Sequence, residues 1–166
     1  DGTWLGTNVN PLEYQNSNPS DKNRWKIIAS AYGELRPIPG LTIKTLGGVD
    51  FLDMRTNMFS MPSYLPNYGE GTVGRAFSRY TNITWSNTAT YLFDIKEDHH
   101  FNVMVGQEWV DNQSDGFSVV TRGQSNDNLL TMSTAARAES YTDTMNEARY
   151  LSFFGRAEYN YLSRYY

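Results

Sequence analysis

Apolar and aromatic residues occupy alternate positions in five separate stretches of the chain, and in all five the apolar set carries odd numbers. The first two sets are Trp25, Ile27, Ala29, Ala31 and Leu35, then Leu41, Ile43, Val49 and Phe51. The third is Ile83, Trp85, Ala89, Tyr91, Phe93 and Ile95. Phe101, Val103, Val105 and Trp109 form the fourth, and Leu151, Phe153, Ala157, Tyr159 and Tyr161 the fifth. A two-residue period predicts β-strands with one apolar and one polar face, here near 25–35, 41–51, 83–95, 101–109 and 151–161. Even positions such as Thr84, Ser86, Thr88, Thr90 and Asp94, or Ser152, Arg156, Glu158 and Asn160, supply a wet face. Thr88, Gln107 and Glu158 are expected to meet water, and Ala89, Val105 and Ala157 an apolar medium.

The connections alternate in length. Residues 36–40 (Arg-Pro-Ile-Pro-Gly) and 96–100 (Lys-Glu-Asp-His-His) are short, whereas 52–82 and 110–150 read as long loops. In an antiparallel up-and-down array this puts the short turns at one end and the long loops at the other, the asymmetry of a transmembrane barrel wall. Residues 1–24, with Asn10-Pro11 and Ser17-Asn18-Pro19-Ser20-Asp21, read as the end of a further outside loop. On this map Trp25, Phe51, Trp85, Trp109 and Phe153 form one aromatic girdle on the apolar face. Leu35, Leu41, Phe93, Phe101, Tyr159 and Tyr161 form a second band. Two girdles around a stripe of small and aliphatic residues match a lipid-facing surface, because amphipathic rings prefer the interface. Alternation alone fits equally well the packed sheet of a soluble β-sandwich.

Composition narrows the choice. Twelve Tyr, eight Phe and four Trp accompany a mean hydropathy of -0.58, which suits strands with one greasy face better than a closed core. A formal net charge of -4 gives no basic footprint for nucleic acid. The absence of cysteine excludes a disulfide framework and a thiolate metal site. No run of 18 apolar residues exists, so a membrane helix is not expected, whereas a transmembrane strand needs only about 9–11 residues. The chain starts Asp1-Gly2 and stops at Tyr166 just after an alternating run, so both ends read as cuts in a longer protein.

Candidate chemistry is sparse. Glu97-Asp98-His99-His100 holds metal-ligand residue types, but neighbours on a strand end point to opposite faces and the chain has only two His. Asp111–Gly116 lacks the ligand positions and closing Glu of a calcium loop. Glu108 and Glu158 share the polar face without a reason to meet, so neither a catalytic pair nor a metal site is expected. The segment from Met54 to Tyr80 is too apolar for a purely solvated loop. Met58, Phe59, Tyr64, Tyr68, Phe77 and Tyr80 are its candidates for packing, partner contact or ligand contact.

Several blocks resemble the SusC/RagA family of TonB-dependent outer-membrane transporters. They are Asn10-Pro11-Leu12, Arg24-Trp25-Lys26 and Pro39-Gly40-Leu41-Thr42-Ile43-Lys44. The run from Thr84 to Tyr91 (Thr-Trp-Ser-Asn-Thr-Ala-Thr-Tyr), the run from His100 to Glu108, and the run from Tyr150 to Tyr161 complete them. The resemblance implies an all-β fold in which residues 1–166 are a section of one barrel of about 22 strands, with the plug domain absent. It further implies bacterial outer-membrane localisation and import of oligosaccharides or peptides rather than enzymatic activity, without a cofactor. The implied partners are a SusD-like surface lipoprotein, outer-membrane lipid, and the TonB complex acting through parts missing from this chain. A soluble β-sandwich glycan-binding module and a passive porin or adhesin barrel remain the alternatives on the residues themselves.

Overall fold

A computed structural model describes residues 10–96 and 98–161. Its elements are a short helix α1 (Pro11–Ser17) and five strands: β1 (Ser20–Leu35), β2 (Leu41–Ser60), β3 (Gly71–Ile95), β4 (His99–Gln124) and β5 (Arg137–Tyr161). Single 3-10 turns at Leu65–Asn67 and Met132–Thr134 sit in the two longer connectors. The strands form one sheet in the order β1-β2-β3-β4-β5, so each pairs with its neighbour in sequence. A sandwich needs two packed sheets; the described strands form a single one. Among the described residues no helix is long and apolar enough to cross a membrane.

Each of the five predicted strands lies inside an observed one, but the strands are much longer than the alternation indicated. Residues 52–60, 71–82, 110–124 and 137–150, expected as loops, are strand. β3, β4 and β5 contain 25, 26 and 25 residues, more than twice the ~10 that cross a hydrocarbon layer. The extensions lack the apolar alternation, while backbone pairing with the neighbouring strand continues regardless. The irregular connectors shrink to residues 61–70 and 125–136. The N-terminal stretch also departs from expectation: it contains α1, with the Asn10 side chain accepting from the Leu12 amide (3.0 Å) and Pro11 in the first turn. Residues 1–9 lie outside the described residues.

Antiparallel pairing keeps like parity opposite like across the sheet. Lys26 pairs with Asp50 (3.3 Å), and Asn102 donates to Glu158 (2.7 Å). On the other parity, Trp85 Nε1 donates to Thr45 (2.9 Å) and Asn87 to Gln107 (2.9 Å). A one-residue slip between any two strands would move a whole side-chain set to the opposite face. Arg122 and Glu139, of unlike parity, approach to 3.3 Å beside Gly123, which adopts φ +98°.

The described chain divides into two compact units. The helix-bearing unit comprises residues 10–25, 52–79 and 114–145; the striped unit comprises 26–51, 80–113 and 146–161. The helix-bearing unit contains the buried apolar side chains Phe59, Tyr64 and Val73. Beside them Gln124 is fully buried, donating to Thr121 (3.3 Å), whose hydroxyl donates to the Val73 carbonyl (3.2 Å). Asn18 caps α1 by donating to the Tyr14 carbonyl and accepts from Ser60, while Tyr14 packs edge-on against Tyr64 at 6.2 Å. The two connectors of this unit are tied by Ser63 N–H to Asp127 (3.2 Å) and by a two-pronged Arg137–Glu70 pair (3.0 and 2.7 Å). In the striped unit the turn at 36–40 closes on Gly40, at φ +82°, whose carbonyl accepts from the Leu92 amide at 2.8 Å.

Candidate functional site

The functional surface of the striped unit is its pair of unlike faces. The odd face exposes large apolar side chains: Ile27 is 54%, Trp85 51%, Val105 59% and Phe153 77% accessible. A soluble protein would bury such residues against a second layer, so the face is suited to an apolar surround. The predicted girdle residues Trp25, Phe51, Trp85, Trp109 and Phe153 all have this parity; Trp25 and Phe153 are the most exposed of them.

The second band is a run of rings in contact. Tyr91 stacks on Phe93 (5.2 Å), Phe93 on Phe101 (5.1 Å, 8° between planes), and Phe101 meets Tyr159 at 5.0 Å. His99 extends it, with its ring 5.8 Å from Tyr159 and 5.1 Å from Tyr161 and its Nδ1 2.8 Å from the Tyr159 hydroxyl. His99, which the sequence offers only as a metal-ligand type, belongs to this band, as its odd number indicates. Asn87 and Gln107 interrupt the apolar face. Gln107, expected to meet water with the even set, is odd and shares this face with Asn87. Each amide satisfies the other, which removes most of the cost of placing polar groups there.

A sharp change of chemistry along the strands went unread in the sequence. The odd position after Phe51 on β2 is Asp53, the one after Trp109 on β4 is Asp111, and the one before Leu151 on β5 is Arg149. In the striped unit Arg149 bonds Asp111 (3.3 Å) and also pairs with Glu147. In the helix-bearing unit Asp53 holds Arg79 (2.8 Å) and Arg55 (3.7 Å).

The even face of the striped unit carries most of its polar groups, among exposed apolar side chains such as Ile28, Leu92 and Phe154. His100 lies 2.6 Å from Asp94, Glu158 accepts from Asn102 and pairs with Arg156 (3.4 Å), and Asn112 accepts from Tyr80 and Asn82. A hollow of about 680 Å³ is lined by Asp94, His100, Asn102, Glu158 and Asn160 with their neighbours. Among the described residues there is no group of three His, Cys, Asp or Glu able to hold a metal; Glu97 lies outside them. Asp111–Gly116, the calcium-loop candidate, is continuous strand.

The loop candidates are not brought together. Phe59 and Tyr64 are core residues of the helix-bearing unit, and Tyr68 is 93% exposed at φ +52° in its connector. Met58, on β2, lies across from Gly74, and Phe77, on β3, packs on Phe117 at 5.8 Å. Tyr80 donates to Asn112 at 3.2 Å. Burial raises the Tyr64 hydroxyl above its ordinary range, helped by Glu13, whereas hydrogen bonds from Arg137 hold the Glu70 carboxyl below its own.

An up-and-down sheet of long strands with one apolar and one polar face defines a section of a β-barrel wall. No protein-family model matches the chain. It is 28% identical over 177 aligned residues to TonB-dependent receptor P3 of Formosa agariphila, which covers 99% of this chain and 17% of that receptor. The RagAB peptide transporter structure matches with a TM-score of 0.84 and 26% identity, over 89% of this chain and 17% of that one. The RagAB importer in its open-open state matches with a TM-score of 0.82, also at 26% identity, with the same coverage. The chain thus spans about a sixth of the length of these relatives. In sequence and backbone the chain is similar to a barrel section of these TonB-dependent proteins.

Proposed function

We propose that the chain forms one section of the wall of an outer-membrane importer, with odd positions toward lipid and even positions toward a hydrated lumen. The parity of pairing within the striped unit carries this reading, because it brings the odd-numbered apolar side chains of β1 to β5 to one face. The girdle of Trp25, Phe51, Trp85, Trp109 and Phe153 then marks one interface and the stacked rings from Tyr91 to Tyr161 the other. By kinship with RagAB, a peptide transporter, the whole protein imports peptides; oligosaccharides are the other class that the family resemblance of its residues implies. A SusD-like lipoprotein caps the barrel, and TonB supplies the energy. Met58, Phe59, Tyr64, Tyr68, Phe77 and Tyr80 serve in this reading as packing and contact residues of the wall's loop-bearing end.

Site-directed spin labels in the full-length protein test the orientation. Labels at Ala89, Val105 and Ala157 are expected to respond to lipid-soluble relaxers, and labels at Thr88 and Glu158 to water-soluble ones. The reverse pattern would sink the proposal.

A further inference from the structure

We infer that the hollow on the even face of the striped unit holds the guanidinium of an arginine side chain carried by a peptide; the inference rests on the reading that even positions line the lumen. The hollow, of about 680 Å³, spans β3, β4 and β5, a size suited to a small ligand or a long side chain. The residues that argue for it, Leu92, Asp94, His100, Asn102, Glu158 and Asn160, all belong to that one unit.

Each of the three strands leaves one acceptor open. On β4 the Asn102 amide nitrogen donates to Glu158 Oε2 at 2.7 Å. That bond fixes the amide's orientation, because the flipped amide would set oxygen against oxygen. Asn102 Oδ1 is buried from water and accepts no hydrogen bond among the described residues, and neither does Asn160 Oδ1 on β5. On β3, Asp94 Oδ1 lies 2.6 Å from His100 Nδ1, while Oδ2 accepts nothing among the described residues. Glu158 is already engaged, with Oε2 taken by Asn102 and Oε1 3.4 Å from Arg156.

A buried acceptor without a donor costs free energy that a bound N–H recovers. The complementary ligand is therefore rich in donors and, with the Asp94 carboxylate among the three acceptors, cationic. A carboxylate or phosphate would bring oxygen against oxygen. A metal ion does not fit either, since no three His, Asp or Glu side chains converge among the described residues. A guanidinium carries five N–H donors in a fixed fork and no acceptor, so it reaches oxygens on separate strands better than the point charge of an ammonium. Leu92, on the wall of the hollow, suits the methylene stem behind such a head.

The test is calorimetric titration of the full-length protein in detergent with acetyl-Ala-Arg-Ala-amide and its citrulline counterpart, which keeps the shape of the side chain and lacks the charge. Wild type should bind the arginine peptide about tenfold more tightly. Asp94→Asn should remove most of that preference. Asn160→Ala should weaken the arginine peptide about fivefold without lowering the unfolding midpoint, because Asn160 Oδ1 has no internal bond to lose. Asn160→Asp should restore binding. A spin label at Thr88, on the same face, is read in a parallel sample. Equal binding of the two peptides, binding of neither, or an affinity untouched by both Asp94→Asn and Asn160→Ala overturns the inference; a water-exposed Thr88 label then leaves the lumen reading standing. A lipid-exposed Thr88 label overturns both.

Discussion

Val105 and Asn102 stand three positions apart on β4, yet the two faces make them unequal targets. An arginine at Val105 enters the apolar face and is expected to cost about 2–4 kcal/mol near the bilayer midplane. At Asn102 it joins Glu158 on the polar face and should cost little; urea titration of the folded fraction in vesicles separates the two. Asn87 offers a subtler case, because its amide is what Gln107 has for company on the apolar side. Asn87→Ala should destabilise by about 1–3 kcal/mol and the double change Asn87→Ala/Gln107→Leu by less, since an orphaned amide costs more than none. Glu70 gives a pH dependence. Its carboxyl titrates below the ordinary value of 4.5 because Arg137 hydrogen-bonds the charged form. The stabilisation is therefore complete above that ordinary value and disappears as pH falls through the lower folded one. Hydrogen exchange in residues 61–70 should accelerate across that acidic window in wild type and show no such step in Glu70→Gln.

Among the elements, the short turns are held more rigidly than their length suggests. A Cβ at Gly40 would lie 2.1 Å from the Leu92 carbonyl oxygen, and its φ of +82° disfavours any other residue. Gly40→Ala should cost a few kcal/mol, read as a lowered unfolding midpoint. The lower parts of all five strands were legible in the sequence, since Ile83 to Ile95 or Leu151 to Tyr161 alternate against unlike surroundings. Residues 71–82 and 110–124 were not legible, because a strand carrying Arg75, Arg79 and Asp115 on one face has no hydrophobic period and is held by its neighbours' backbone. Helix α1 was readable in principle: Asn10 followed by Pro11 is a helix start, obscured by the turn chemistry of Asn18-Pro19. The proposed girdle residues Trp25, Phe51, Trp85, Trp109 and Phe153 share a parity that the sequence displays. The charged positions that follow them, Asp53, Arg79, Asp111 and Arg149, were filed with the loops and so were missed.

At the scale of the molecule, the exposed odd face sets how the chain behaves by itself. Large apolar residues from Ile27 to Phe153 have no covering layer, and β1 and β5 have one paired edge each. Expressed alone in detergent-free buffer, the chain should self-associate; light scattering that reports a monomer would contradict the barrel-wall reading. The connectors 61–70 and 125–136, tied through Glu70–Arg137 and Ser63–Asp127, keep the helix-bearing unit ordered.

The constant parity of pairing also has a consequence for heredity. One codon inserted between those for residues 83 and 95 would exchange the two faces for every later side chain of that strand, whereas two codons would shift it by a single rung. Natural length variants of this wall should therefore come in pairs within the strands and in any number within residues 61–70 and 125–136. The gene, in effect, is read in steps of two wherever the strands carry two unlike faces.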